Sequence, residues 1–337
     1  MHELHHGNCL DILRTMPDCS IDAVVTDPPY GLSFMGKRWD YDVPSTEIWA
    51  ECLRVLKPGG YLLAFAGTRT QHRMAVRIED AGFEIRDMLA WMYGSGFPKS
   101  HNLDGEHQGW GTALKPAMEP ITMARKPFKA TVAQNVQEWG TGAINIDGCR
   151  IETDNNLNGG GYSGGTPKTM FSGLGRLQPD EYIQPEGRWP ANVMHDGSAE
   201  ILQGMGEAAR FFYTPKACKD DRDDGCEMME ERWKAGYSYT DTPGNPADRM
   251  FKDRETLKRN FHPTVKPTDL MRYLCRMVTP TGGIVLDPFT GSGSTGRGAV
   301  LEGFRFIGCE MDADYIEIAK ARILAAEKAY QPCLTFD

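Results

Sequence analysis

Thr26-Asp27-Pro28-Pro29-Tyr30-Gly31 sets a carboxylate, two prolines and an aromatic ring directly after the apolar run Ile21-Asp22-Ala23-Val24-Val25. Such a run reads as a buried strand. Proline fixes φ and carries no N–H, so the loop is stiff, and the carbonyls of Asp27 and Pro28 are left as acceptors held in place. Ligands of open α/β sheets bind outside the carboxyl ends of strands, which is where this loop falls. A Pro-Pro pair alone would merely end a strand; the whole tetrapeptide after an apolar strand points to a site.

A second constellation lies near the other end of the chain. Gly283-Ile284-Val285-Leu286-Asp287 reads as a strand, and Pro288-Phe289-Thr290-Gly291-Ser292-Gly293-Ser294-Thr295-Gly296 follows it. The spacing Gly291-x-Gly293-x-x-Gly296, with Glu310 ending the next strand, matches the dinucleotide fingerprint of a nicotinamide or flavin oxidoreductase. Two features oppose that reading. Asp287-Pro288-Phe289-Thr290 separates the strand from the first glycine, and the Asp287 carboxylate would repel a pyrophosphate seated on the helix N-terminus.

Asp-Pro-Pro-Tyr after a strand resembles the catalytic motif of the amino-methyltransferases, which methylate exocyclic amines of bases using S-adenosylmethionine. An exocyclic amine is a poor nucleophile because its lone pair is delocalised into the ring. The Asp27 carboxylate and the Pro28 carbonyl can accept both amine protons and turn the lone pair toward the methyl donor, which is catalysis by orientation and electrostatics. Pro29 stiffens the loop, and the resemblance implies that Tyr30 stacks on a base swung out of the duplex. It also implies a cofactor pocket drawn from Asn8, Asp27, Lys266, Asp287, Phe289, Gly291, Gly293, Ser294 and Glu310. S-adenosylmethionine carries an ammonium and a sulfonium and no phosphate, which suits Asp287, while Glu310 can accept from both ribose hydroxyls. Asn8 stands where the family commonly has an aspartate; capping of the following helix is an equally good reading of it.

Alternating strands and helices must position these loops. Strands are expected at Glu3–His6, 21–25, Tyr61–Ala66, Phe83–Trp91, Gly283–Asp287 and Arg305–Glu310. Helices are expected through Met16, from about Ser45 to Leu56, from Gln71 to Ala81, from Thr268 to Val278, after Gly296, and from Asp312 to about Lys328. That alternation implies a parallel sheet. Because the catalytic loop precedes the glycine loop, the order is similar to the circularly permuted group of DNA amino-methyltransferases. The expectation is therefore an α/β, Rossmann-like, doubly wound and mostly parallel seven-stranded sheet, with Glu3–His6 beside the strand ending at Glu310. Residues 1–93 would form the catalytic half and 261–337 the cofactor half.

Between them, residues 94–260 lose periodicity, and they read as an inserted target-recognition region that includes a returning core strand near 207–213. Lys99, Lys126 and Phe128 are its candidate DNA contacts. Gly159–Gly165 is flexible-loop chemistry, and Lys216–Arg259 crowds both signs of charge. Phrases at Trp91–Ser100, Ala113–Ala124 and Arg188–Asn192 are similar to prophage-type members.

Whole-chain properties bound the rest. The 337 residues, 40% hydrophobic and 25% charged, suit a soluble globular protein. The richest apolar run is far too short to span a membrane. Nine cysteines without a CxxC pair suit a reduced, cytoplasmic setting, and no His/Cys spacing suggests a metal. The net charge of −9 argues mildly against a nucleic-acid partner, although the local face matters more than the sum. The reading is a site-specific methyltransferase acting on N6 of a flipped adenine in double-stranded DNA, with a homodimer and a cognate restriction enzyme as further partners. The alternatives are cytosine-N4 methylation, methylation of RNA or a protein glutamine, an NAD-dependent oxidoreductase, and an inert DNA-binding module.

Overall fold

The computed structural model of the chain describes residues 1–32, 40–94, 96, 100–155, 157, 185–215, 221–233 and 257–330. Among them the strands, numbered along the chain, are β1 (His2–His6), β2 (Ile21–Thr26), β3 (Leu56–Phe65), β4 (Glu84–Met92), β5 (Met118–Arg125), β6 (Val193–His195), β7 (Arg232–Trp233), β8 (Leu257–Lys258), β9 (Ile284–Asp287) and β10 (Arg305–Glu310). The helices are α1 (Cys9–Thr15), α2 (Thr46–Val55), α3 (Gln71–Asp80), α4 (Val132–Trp139), α5 (Ala199–Met205), α6 (Thr268–Val278), α7 (Ser294–Leu301) and α8 (Ala313–Ala329). One sheet runs β1-β10-β9-β2-β3-β5-β4-β6, and β7 pairs with β8 separately. In the large sheet β5 alone runs antiparallel to its neighbours.

β2 is buried along its full length, as a strand covered on both faces must be. Successive side chains point to opposite faces, so it feeds two cores. Val24 joins Trp49 and Cys52 of α2 and Met74 and Ile78 of α3. Ala23 and Val25 join Leu270, Leu274 and Met277 of α6, Ala299 and Val300 of α7, and Ile323 of α8. The result is a helix–sheet–helix sandwich with β2 at its centre. β1 lies beside β10 in parallel register, His6 opposite Glu310, as the permuted order requires. The Met1 ammonium meets Glu327 of α8.

The middle of the chain departs from expectation. β5 lies inside the segment read as an insertion, yet it is a full member of the sheet, with Leu63 opposite Met123 and Leu89 opposite Ile121. The turn-rich residues before it mask the β4–β5 pairing from a local reading. The returning strand is also misplaced in the sequence reading, which gives one strand too few. Residues Gly206–Phe211 form a 3₁₀ helix, and β6, at 193–195, is the eighth strand. Only Tyr213 bridges to it, across from Met194. The buried His195 ring explains the difference. Its Nδ1 accepts from Gly197 N–H, so its Nε2 donates to the Ala209 carbonyl at 3.1 Å and pins that segment in a tight turn. The aromatic run is consumed by stacking instead: Tyr213 lies parallel to Tyr273 at 3.8 Å, and Arg188 and Arg210 cover Phe211.

Lys126 and Phe128 lie at the end of the sheet away from the catalytic loop, where β5 finishes beside the start of β3. The Lys126 ammonium donates to the carbonyls of Leu56 at 2.7 Å and Arg54 at 3.2 Å, and Arg125 covers the Phe128 ring. These residues tie the sheet together and do not face the site. Lys99, Gly159–Gly165 and most of Lys216–Arg259 lie outside the described residues.

Candidate active site

Adjacent strands β2 and β9 end side by side, and their loops are joined at that point. The Thr26 hydroxyl donates to Asp287 Oδ1 at 2.6 Å, both groups being buried. The first expected loop and the second therefore form one site. Beyond Thr26, the backbone is held by Asp40, which is 2% exposed: its Oδ1 accepts from Tyr30 N–H at 2.6 Å and Gly31 N–H at 2.9 Å, and its Oδ2 from Leu32 N–H at 3.2 Å. Gly31 has φ +67°, and a Cβ there would come 3.0 Å from the Asp42 and Val43 backbone, so the turn requires glycine. Pro28 is buried, and Asp27, Pro29 and Tyr30 are half-buried.

Asp27 is not a bare acceptor. Its Oδ2 receives the Lys266 ammonium at 2.7 Å, and its Oδ1 receives the Tyr30 hydroxyl at 2.6 Å. Glu119, at the start of β5, closes the ring: its Oε2 lies 3.1 Å from the Lys266 ammonium and 3.1 Å from the Tyr30 hydroxyl. The Phe65 and Tyr30 rings cover Lys266, with centroids at 4.8 and 5.5 Å. Burial alone would lower the Lys266 ammonium, but the carboxylates of Asp27 and Glu119 outweigh it and hold the group well above its ordinary value. Burial, then the two carboxylates, push the Tyr30 phenol up, so it stays a neutral donor.

The glycine-loop end is built differently. The hydrogen-bond partners of the buried Asp287 carboxylate are neutral: the hydroxyls of Thr26 and Thr295 and the backbone N–H of Phe289. Burial pushes this carboxyl up to about 6. Glu310, ending β10, accepts from Gly291 N–H at 2.7 Å and Asp312 N–H at 2.8 Å, and burial raises it too. Gly291 turns at φ +53° beneath the His262 ring, where a Cβ would come 2.9 Å from Nε2. Burial pushes His262 down to about 4, leaving a neutral ring on the loop.

Other expected cofactor residues are committed in part to packing. A Cβ on Gly293 would meet Ala319 of α8 at 2.9 Å. The Ser294 hydroxyl accepts from the buried Arg322 guanidinium at 3.2 Å. Phe289 meets Trp49 edge-on at 6.3 Å. Asn8 is the N-cap of α1, its Oδ1 accepting from Leu10 N–H at 2.9 Å, two residues beyond the β1 end that pairs with Glu310. Lys266, expected in the cofactor pocket, stands in the Asp27 cluster.

Two residues escape the sequence reading. Asp40 follows a segment without periodicity and looks like any loop aspartate. Glu119 has a faint signal, a carboxylate placed before the apolar run Pro120-Ile121-Thr122-Met123-Ala124.

A model of the DNA methylase family matches residues 21–321. DNA adenine methyltransferase YhdJ of Escherichia coli (strain K12) is 24% identical over 329 residues, 94% of this chain and 81% of that protein. Type II methyltransferase M.HindIII of Haemophilus influenzae (strain ATCC 51907 / DSM 11121 / KW20 / Rd) is 33% identical over 115 residues, 29% of this chain and 37% of that protein. The solved structure of PvuII DNA methyltransferase (cytosine-N4-specific) shares the fold with TM-score 0.55 at 16% identity, over 95% of this chain and 86% of that one.

Proposed function

The chain belongs to the DNA methylase family, and from that premise we propose that it transfers a methyl group from S-adenosylmethionine to N6 of an adenine in double-stranded DNA. The observation that supports this reading is the 2.6 Å hydrogen bond from Thr26 to Asp287, which joins the loop of Asp27 to the glycine loop at the ends of adjacent strands.

The glycine-loop residues fit the cofactor. A buried carboxylate whose described partners are all neutral donors favours a cationic ligand, and a second carboxylate with raised proton affinity stands on the neighbouring strand. Both would repel the pyrophosphate of a dinucleotide. Asp287 would face the cationic end of the cofactor, Glu310 its ribose hydroxyls, and Asn8, Phe289 and Lys266 the rim. Bound there, the cofactor supplies an electrophilic methyl group on sulfur. Asp27 and the Pro28 carbonyl accept the two amine protons and aim the nitrogen lone pair. The amine nitrogen would gain positive charge as it takes up the methyl group. It then releases one proton through the Asp27 carboxylate to water. Tyr30, its backbone clamped by Asp40, presents its ring to a flipped base.

Adenine is supported by the aspartate that opens the tetrapeptide and by the name of the relative that covers 94% of the chain. A homodimer and a cognate restriction enzyme are the further partners this reading admits, and target recognition falls to the residues after β5. No described helix is long and apolar enough to cross a membrane. Expression in a methylation-free host, digestion of its DNA to nucleosides and mass spectrometry test the base: N6-methyladenine is expected. N4-methylcytosine as the sole product overturns adenine and leaves the site chemistry standing.

A further inference from the structure

Asp27 is bonded to an ammonium, and that raises a difficulty for the proposed reaction, on which this inference rests. The acceptor nitrogen gains positive charge as it is methylated. Lys266, touching the same carboxylate at 2.7 Å, opposes that gain and cancels the charge of Asp27. In a pocket walled by Phe65 and Tyr30 such effects are weakly screened.

Glu119 resolves the difficulty. It lies on β5, a different element from either partner, and reaches both the ammonium and the phenol of the cluster at 3.1 Å. With Tyr30 neutral, two carboxylates and one ammonium leave the cluster at a net charge of minus one. We propose that Glu119 is a positioning residue for methyl transfer: it takes up the charge of Lys266, so that Asp27 meets the acceptor amine as an uncompensated anion. Lys266 in turn fixes Oδ2 of Asp27, and it can lean toward Glu119 when the amine enters without crossing a charge gap.

Charge arithmetic gives a test that simple damage to packing would not imitate. Wild type carries a net minus one, Glu119→Gln zero, Lys266→Met minus two, and the double variant minus one again. With saturating DNA and cofactor, Glu119→Gln should lower kcat by about a hundredfold, the scale seen when a preorganised electrostatic group is removed. The double variant should then be at least about tenfold faster than Glu119→Gln. A double variant as slow as Glu119→Gln, or slower, overturns the inference. Glu119→Asp keeps the charge and serves where Lys266→Met does not fold. It should retain at least about ten times the activity of Glu119→Gln, and equal losses overturn the inference.

A folded wild type that methylates no DNA overturns the underlying reading; an active wild type whose losses multiply overturns the role of Glu119 alone.

Discussion

The two carboxylates at the ends of β2 and β9 are near neighbours with opposite histories. Asp27 is matched within the fold by an ammonium and a phenol, whereas the hydrogen-bond partners of Asp287 are neutral donors and its carboxyl is pushed up to about 6. One end is braced before any ligand arrives; the other is left in want of a cation. The contrast separates two tasks. A residue that must hold an amine at a fixed angle benefits from being braced. A residue that must attract a charged ligand benefits from being left unmatched, because binding then relieves a cost already present in the fold.

The largest expected effect tests the braced end. Asp27→Ala should lower methyl transfer by at least about a hundredfold while calorimetry shows cofactor affinity little changed. Comparable losses of rate and of cofactor affinity would erase the distinction between the two ends.

A smaller effect sharpens the unmatched end. Below about pH 6 the free protein holds a proton on Asp287, and a cationic ligand favours the ionised form, so binding must release that proton. Affinity for S-adenosylmethionine should therefore rise with pH, by up to about tenfold per unit, and level off above about pH 6. Asp287→Asn should flatten the curve and weaken binding at pH 7.5 by roughly 1.5–3 kcal/mol. The same linkage acts on the free fold. Between about pH 4 and about pH 6 the native carboxyl binds the proton that the unfolded chain has lost, so stability falls as pH rises across that window. The fall should be roughly 2–3 kcal/mol and should be absent in Asp287→Asn.

The smallest effect lies at the far end of the sheet. Lys126→Met removes an ammonium that donates to two carbonyls, and it should cost about 1–2 kcal/mol in denaturant unfolding. DNA affinity and its salt dependence should stay at wild-type values. A reduced salt slope would return Lys126 to the DNA-contacting face.

Much of this site is legible in the sequence because its signals are local. An apolar strand followed by a carboxylate and two prolines needs no partner to be recognised, and neither does the glycine loop after Asp287. Glu310 follows from the length of the next strand. What escapes depends on distant pairing. Glu119 acquires its meaning only because β5 wedges between β3 and β4, and that pairing is hidden behind turn-rich residues. Asp40 matters through three backbone N–H groups that lie eight to ten positions earlier. The aromatic run ending at Tyr213 has the propensity of a strand, and the buried His195 ring overrides it. Lys126 shows the converse error, since a basic residue next to an aromatic one reads as a DNA contact until its carbonyl partners are seen.

The pairing of β2 with β9 has a consequence during synthesis of the chain. Ala23 and Val24 lie in register with Val285 and Leu286. The strand that leads into Asp27 thus emerges from the ribosome long before the neighbour that covers one of its edges. Until then β2 has β3 on one side and a bare, largely apolar edge on the other, the kind of edge that recruits foreign strands. The much later stretch that begins with β9 does more than extend the sheet. It caps an exposed strand and commits the early half of the molecule to its final register, which makes this a fold of high contact order whose central strand is secured last.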